Sequence, residues 1–398
     1  MAVSVRTIRT AVPATVIRQE QVRDLFAAQP GLGRLGERLV ATSFDASGID
    51  TRHTVVTDFE EGGHGVFIDA ERTLLAPGTA ARNELYTVEA AELAVRAARE
   101  ALDAGSGFGA ADVTHVITVS CTGFFSPGPD YVLVRRLGLD PGVQRFHVGF
   151  MGCYAAFPAL KMAKAFCDAD PSAVVLVVSV ELCTLHVRSS SDPDQIVASS
   201  VFADGAAAAL VTAREPADAD AAAGGSAVLD LDSFSTTLTP VGEDAMAWTI
   251  GDHGFEMVLS SYVPKIIDEH ITGALEPLLA GTSSSAVERW AVHPGGRSIL
   301  DRVQAKLGLS DEQLAPSREV LRRYGNMSSA TILFVLERIL ADAAAHPVAG
   351  GEQVCAMAFG PGLTVETGLF TARPGSAARL AAGIGAGREA GRTVGEAA

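Results

Sequence analysis

Asparagine is almost missing from this 398-residue chain, which has only Asn83 and Asn326. Cysteine is scarce too: Cys121, Cys153, Cys167, Cys183 and Cys355 form no C-x-x-C pair and no His/Cys metal spacing. That excludes a zinc ribbon and a disulfide framework and points to a reducing, cytoplasmic setting. Long apolar runs are also lacking, since no window approaches the roughly 18 residues of a membrane span. The first residues, Met1 to Thr7, contain no continuous apolar core of a signal peptide. Basic charge is in deficit, with 31 Lys and Arg against 47 Asp and Glu, a net charge of −16. Phosphate backbones and anionic membranes are repelled by such a surface, so nucleic acid is excluded as the main partner.

Apolar residues, in contrast, make up 48% of the chain, enough for a large core and for one duplicated fold. Leu85 to Ala101 carries helical spacing, and Asp112 to Ser120 and Ala173 to Val180 read as buried strands. A helix ending Leu137-Gly138-Leu139 and another beginning at Cys153 stand between those strands. The second half repeats this order: a strand over Val287 to Val292, a helix over Ser298 to Leu307, a helix over Ser328 to Leu340 and a strand over Gln353 to Phe359. Ser120 to Cys153 and His293 to Asn326 are each 33 positions apart. The expectation is a layered α/β fold of two duplicated halves, residues 1–224 and 225–375, with one site at their junction. The seam falls within Thr212 to Gly225, and residues 376–398 read as a flexible tail.

A cysteine is by default a small buried hydrophobe, which suffices for Cys167, Cys183 and Cys355. Cys153 differs, because Gly152 before it and Ala155-Ala156 after it allow a tight strand-to-helix turn and close approach of a substrate. A helix start also favours thiolate over thiol. His293 ends an apolar strand at His-Pro-Gly-Gly, where side chains point into a crevice. Asn83 fits a helix cap, whereas Asn326 follows Gly325 ahead of a small-residue helix start. A thiolate paired with imidazolium can take an acyl group from a thioester, and imidazole and amide N–H groups can donate to the enolate left when a malonyl thioester loses carbon dioxide.

The strings Gly152-Cys153, Val201-Phe202-Ala203-Asp204-Gly205, Val292-His293-Pro294-Gly295-Gly296, Tyr324-Gly325-Asn326-Met327-Ser328-Ser329 and Phe359-Gly360-Pro361-Gly362-Leu363-Thr364 occur in this order. As a set, across nearly the whole chain, they resemble the type III polyketide synthases related to chalcone synthase, in their bacterial form. The resemblance implies a homodimeric thiolase-like fold in which Cys153 carries the growing chain, His293 activates it, and His293 with Asn326 stabilises the enolate. It implies gatekeeper roles for Phe202 and Phe255 and a cavity wall shaped by Gly360, Pro361 and Gly362. Gly295, Gly296 and Ser298 become candidates for contacting coenzyme A. The loop from Cys121 to Asp130 matches a segment that borders the cavity and reaches the partner subunit; Cys121 either lines the cavity or is an inert buried thiol. In one respect the chain departs from plant members: Val40 to Asp50 lacks their basic residues for the coenzyme A phosphates, leaving Arg38, Arg52 or Arg297 as substitutes.

The implied reaction is iterative decarboxylative condensation of malonyl-CoA onto an acyl-CoA starter, then cyclisation, with no cofactor or metal beyond the CoA thioesters. A fatty acyl starter giving an alkylpyrone or alkylresorcinol is the first expectation, and a malonyl-primed naphthol the second. Rivals are a ketoacyl synthase III, which would need a basic patch for an acidic carrier, and a 3-hydroxy-3-methylglutaryl-CoA synthase, which would need a glutamate near the cysteine. From another class, a non-catalytic acyl-CoA binding protein would not need an intact Cys-His-Asn set.

Overall fold

Val174–Leu182 and Asp204–Thr212 are buried at all nine of their positions. Strands hidden on both faces must lie between helical layers. The computed structural model describes residues 2–216, 227–279 and 283–375. The first half runs β1 (Ser4–Ala11), β2 (Thr15–Arg18), α1 (Gln19–Ala27), α2 (Gly33–Asp45), β3 (Thr51–Thr54), α3 (Thr79–Leu102), β4 (His115–Ser120), α4 (Pro129–Leu137), β5 (Gln144–Gly149), α5 (Ala156–Ala169), β6 (Val174–Leu182), α6 (Pro193–Val201) and β7 (Asp204–Thr212). The second runs β8 (Ala227–Leu238), β9 (Met246–Gly251), β10 (Gly254–Leu259), α7 (Val263–Leu279), β11 (Arg289–Val292), α8 (Arg297–Leu307), α9 (Asp311–Tyr324), α10 (Thr331–Ala345), β12 (Glu352–Gly360) and β13 (Thr364–Pro374).

Nine strands form one sheet in the order β11-β12-β13-β8-β1-β7-β6-β4-β5. In the first half β4 pairs parallel with β6, β6 antiparallel with β7, and β7 antiparallel with β1. In the second, β11 pairs parallel with β12, β12 antiparallel with β13, and β13 antiparallel with β8. The duplication expected from the order of parts is therefore present as one pairing pattern used twice. Among the described residues the two sets join where Ser4 faces Asp230 and Val5 faces Leu229, with Leu231 N–H donating to the Val3 carbonyl at 2.9 Å. Most of the expected seam and the whole of the expected tail lie outside the described residues.

Helices α5 and α10 share one core, in which Ala156, Phe157 and Leu160 meet Leu333, Phe334 and Leu336. Both are preceded by a 3₁₀ turn, Gly152–Tyr154 before α5 and Ser328–Ala330 before α10. The helices thus begin at Ala156 and Thr331, later than the expected starts at Cys153 and Ser328. At Ser328 the cause is backbone conformation: its φ of 46° is a left-handed value that no α-helix accommodates. Among the described residues, no helix is long and apolar enough to cross a membrane.

Candidate active site

The nucleophile turn owes its shape to glycine. A Cβ on Gly152 would stand 2.5 Å from Cδ of Pro361, so only glycine lets the Gly360-Pro361-Gly362 turn pack against the segment carrying Cys153. Gly360 lies beneath the Tyr154 ring with no room for a side chain. His293 emerges directly after β11, its N–H donating to the Met357 carbonyl at 2.8 Å. Asn326 is held by a β-bridge to Phe202. Its N–H donates to the Val201 carbonyl at 2.8 Å, and its carbonyl accepts from Ala203 N–H at 2.9 Å. In the side chain, Oδ1 accepts from Ser328 N–H at 2.9 Å and Nδ2 donates to the Gly295 carbonyl at 3.3 Å. The amide then faces Cys153 with 4.0 Å between Sγ and either amide atom.

Cys153, His293, Asn326 and Phe202 line one cavity of about 400 Å³, together with Gly295, Gly296 and Ser298. Behind Cys153 lies a second cavity of about 20 Å³, bordered by Cys121, Trp248, Met257, Ser328 and Pro361. A third, again about 20 Å³, reaches His186 and Phe255. The position facing Cys153 from β10 is taken by Met257, which borders all three cavities, as Phe202 does. Phe255 stands farther back, stacked on His186 at 4.3 Å. Cys121 is buried and its Sγ accepts from Gly152 N–H at 3.1 Å, so it supports the nucleophile turn directly.

Electrostatics differ from the expected ion pair. Burial pushes the Cys153 thiol up to about 11, opposed by hydrogen bonds from Ser328 and Asn326. The same burial pushes His293 down to about 3. Burial thus favours a neutral thiol and a neutral imidazole over the expected ion pair. Neither ring nitrogen of His293 has a partner. One is thus free to accept a proton and the other to donate.

Three functional features were not read from the sequence. Glu181, at the end of β6, is wholly buried and accepts from Cys121 N–H at 2.9 Å, Thr122 Oγ1 at 2.9 Å and the Ser329 hydroxyl. Burial pushes its carboxyl up to about 7. A single charge closing the run Val-Val-Leu-Val-Val-Ser-Val-Glu-Leu was the available signal. Trp248 forms the wall between the two small cavities, its Nε1–H donating to the Cys121 carbonyl at 2.7 Å. Arg52 is buried and donates through Nη1 to the carbonyls of Ser199 at 2.8 Å and Phe202 at 2.7 Å, so it braces Phe202, and it does not line the Cys153 cavity where a phosphate arm would enter. Arg38 is exposed and off the cavity wall, whereas Arg297 and Arg302 line the catalytic cavity.

Residues 2–216 match the chalcone and stilbene synthases, N-terminal domain, and residues 230–374 the C-terminal domain of the same synthases. Bisdemethoxycurcumin synthase of Oryza sativa subsp. japonica is 33% identical over 385 residues, covering 93% of this chain and 92% of that protein. The alpha-pyrone synthesis polyketide synthase-like Pks18 of Mycobacterium tuberculosis is 36% identical over 298 residues, 73% of this chain and 72% of its own. Among solved structures, PKS-I from the brown alga Ectocarpus siliculosus superposes with a TM-score of 0.85 at 29% identity, over 93% of this chain and 98% of that one. The type III polyketide synthase domain of Steely1 from Dictyostelium gives 0.81 at 27% identity, over 93% and 99%. With both domains matched and the thiolase-like fold shared, the chain belongs to the chalcone and stilbene synthase family and is an acyltransferase of the type III polyketide synthase class.

Proposed function

We propose that Cys153, His293 and Asn326 carry out iterative condensation of malonyl-CoA onto an acyl-CoA starter. Neutral His293 accepts the Cys153 proton as sulfur attacks the starter thioester, and the departing CoA thiolate takes that proton. Malonyl-CoA then breaks its bond to carbon dioxide, and the enolate oxygen accepts from His293 N–H and Asn326 Nδ2–H. The enolate carbon attacks the acyl-Cys153 carbonyl, forming the new C–C bond and releasing the thiolate. One observation carries this reading: the thiol, a buried imidazole with both nitrogens unpartnered, and an amide 4.0 Å from Sγ share one cavity.

At the cavity mouth, Gly295, Gly296 and Ser298 contact the CoA arm, and Arg297 and Arg302 replace the missing basic residues of α2 as its phosphate partners. Phe202 gates the passage between this arm and the reaction chamber, with Met257 and then Phe255 behind it. The division into 1–224 and 225–375, a homodimer and a cytoplasmic location belong to the same reading. For the starter, a fatty acyl group with an alkylpyrone or alkylresorcinol product is supported by the relative named for alpha-pyrone synthesis. The malonyl-primed naphthol reading draws on a different observation, the roughly 20 Å³ of each cavity behind Cys153.

Incubation with malonyl-CoA and starters from acetyl to long-chain acyl-CoA, followed by mass spectrometry, tests the proposal. Products and a Cys153-linked acyl peptide are expected, both lost in Cys153→Ala. Absence of carbon dioxide release and of acylation with every starter would sink it.

A further inference from the structure

A cavity of about 400 Å³, as large as the catalytic one and sharing no lining residue with it, is bordered by β1, α9 and α10. Its origin is topological: β1 pairs with β8 only at Ser4 and Val5, so from Arg6 onward β1 leaves that neighbour. Arg6 and Thr7, on the wall so exposed, are 5% and 6% solvent-accessible. Yet the Arg6 Nε–H and the Thr7 hydroxyl have no partner. Buried donors are satisfied almost without exception in folded proteins, so two donors without a partner among the described residues on one cavity wall fit an acceptor bound there.

The surrounding charge has the matching sign. Glu215 pairs with Arg6 at 3.2 Å, and Arg6 also donates to the Arg214 carbonyl. Arg9 and Arg338 line the cavity as well, and neither forms an ion pair among the described residues. Among the described residues Glu337 is the one carboxyl on the wall; it accepts from Thr10 Oγ1 at 3.0 Å, and burial pushes its pKa up. Val320, Phe334 and Leu340 supply an apolar panel. A hydrophilic anion would leave that panel wet, and a neutral lipid would leave the cations and the orphan donors unmatched.

We propose that this cavity is a second, non-catalytic binding site for a small amphipathic carboxylate. Its carboxylate accepts from Arg6 Nε, Thr7 Oγ1 and the guanidinium of Arg9 or Arg338, while its hydrocarbon body lies on Phe334 and Leu340. The site stands whether or not the catalytic reading does, because no residue is common to the two cavities.

Calorimetric titration of the full chain tests this with benzoate and hexanoate as probes and with inorganic phosphate and benzyl alcohol for comparison. Saturable binding of one carboxylate per chain is expected, with phosphate and the alcohol at least tenfold weaker. Arg9→Gln and the exposed Arg338→Gln should each lower carboxylate affinity at least tenfold, while Cys153→Ala and Arg302→Gln in the catalytic cavity leave it unchanged. Circular dichroism identifies any variant that has not folded, and the two arginine variants are independent of each other. Absence of saturable carboxylate binding would overturn the proposal. So would affinity that follows the Cys153 or Arg302 variants instead of the arginines of the second cavity, or phosphate binding as tightly as benzoate.

Discussion

Glu181→Gln should make the protein less sensitive to rising pH. In the fold the Glu181 carboxyl is raised from 4.5 to about 7 by complete burial. Between those values the unfolded chain releases this proton while the folded one keeps it. The folded state therefore binds more protons, and stability falls as pH rises through the window. At about 1.4 kcal/mol per pH unit, the loss amounts to about 3 kcal/mol and is complete above about pH 7. Glutamine resembles the protonated carboxyl and does not titrate. It gives up one acceptor among the donors from Cys121, Thr122 and Ser329, a cost of about 1–2 kcal/mol that is the same at every pH. Urea unfolding at pH 4.5, 6 and 8 should show the variant gaining on the native chain by about 3 kcal/mol across the series. A difference that stays constant with pH, or widens in favour of the native chain, would refute the account of Glu181 as a carboxyl held against ionisation.

Cys153, with its thiol pushed up to about 11, should be alkylated by iodoacetamide at a rate still climbing through pH 9, as followed by peptide mass spectrometry; a plateau near neutral pH would show a resting thiolate. Asn326→Ala should slow malonyl-CoA decarboxylation on the order of a hundredfold or more, the usual effect of losing one oxyanion donor, with substrate binding little changed in steady-state kinetics. Trp248→Ala removes the wall between the two small cavities and the bond to the Cys121 carbonyl. It should lower stability by less than the about 3–5 kcal/mol of a fully buried tryptophan, because Trp248 is only partly buried, and raise the rate with long-chain starters relative to acetyl-CoA; an unchanged starter profile would show that Trp248 does not limit the acyl group.

The candidate residues that share the cavity were legible in the sequence where local strings carry them. Gly-Cys, His-Pro-Gly-Gly and Gly-Asn-Met-Ser-Ser each place a reactive side chain at the end of a strand or the start of a helix, and the equal spacings announced the duplicated halves. What depends on distant segments was hidden. Burial of Cys153 and His293 comes from several elements converging, so their shifts away from an ion pair have no local signal. Glu181 reads as one charge in an apolar run until β6 is laid beside β4 and its carboxylate meets Cys121 and Thr122. Phe255 was singled out through the family resemblance, but Met257, on the same face of β10, lines the Cys153 cavity and Phe255 does not. Strands β1, β8 and β13 went unread, although the first two join the halves.

Asn326 is tied by two backbone hydrogen bonds to Val201 and Ala203, the neighbours of Phe202, with Arg52 fastened behind Phe202. Gate and amide donor therefore form one mechanical piece, and a change that widens the gate also shifts the donor. The β9–β10 hairpin meets the cavities through the side chains of Met246, Trp248 and Met257, while the paired Thr249 and Glu256 on its outer side face solvent. Evolution can thus rewrite the hairpin without touching the reacting groups. Enzymes of this lineage that differ in acyl group should differ most on that hairpin and least along the Phe202–Asn326 seam.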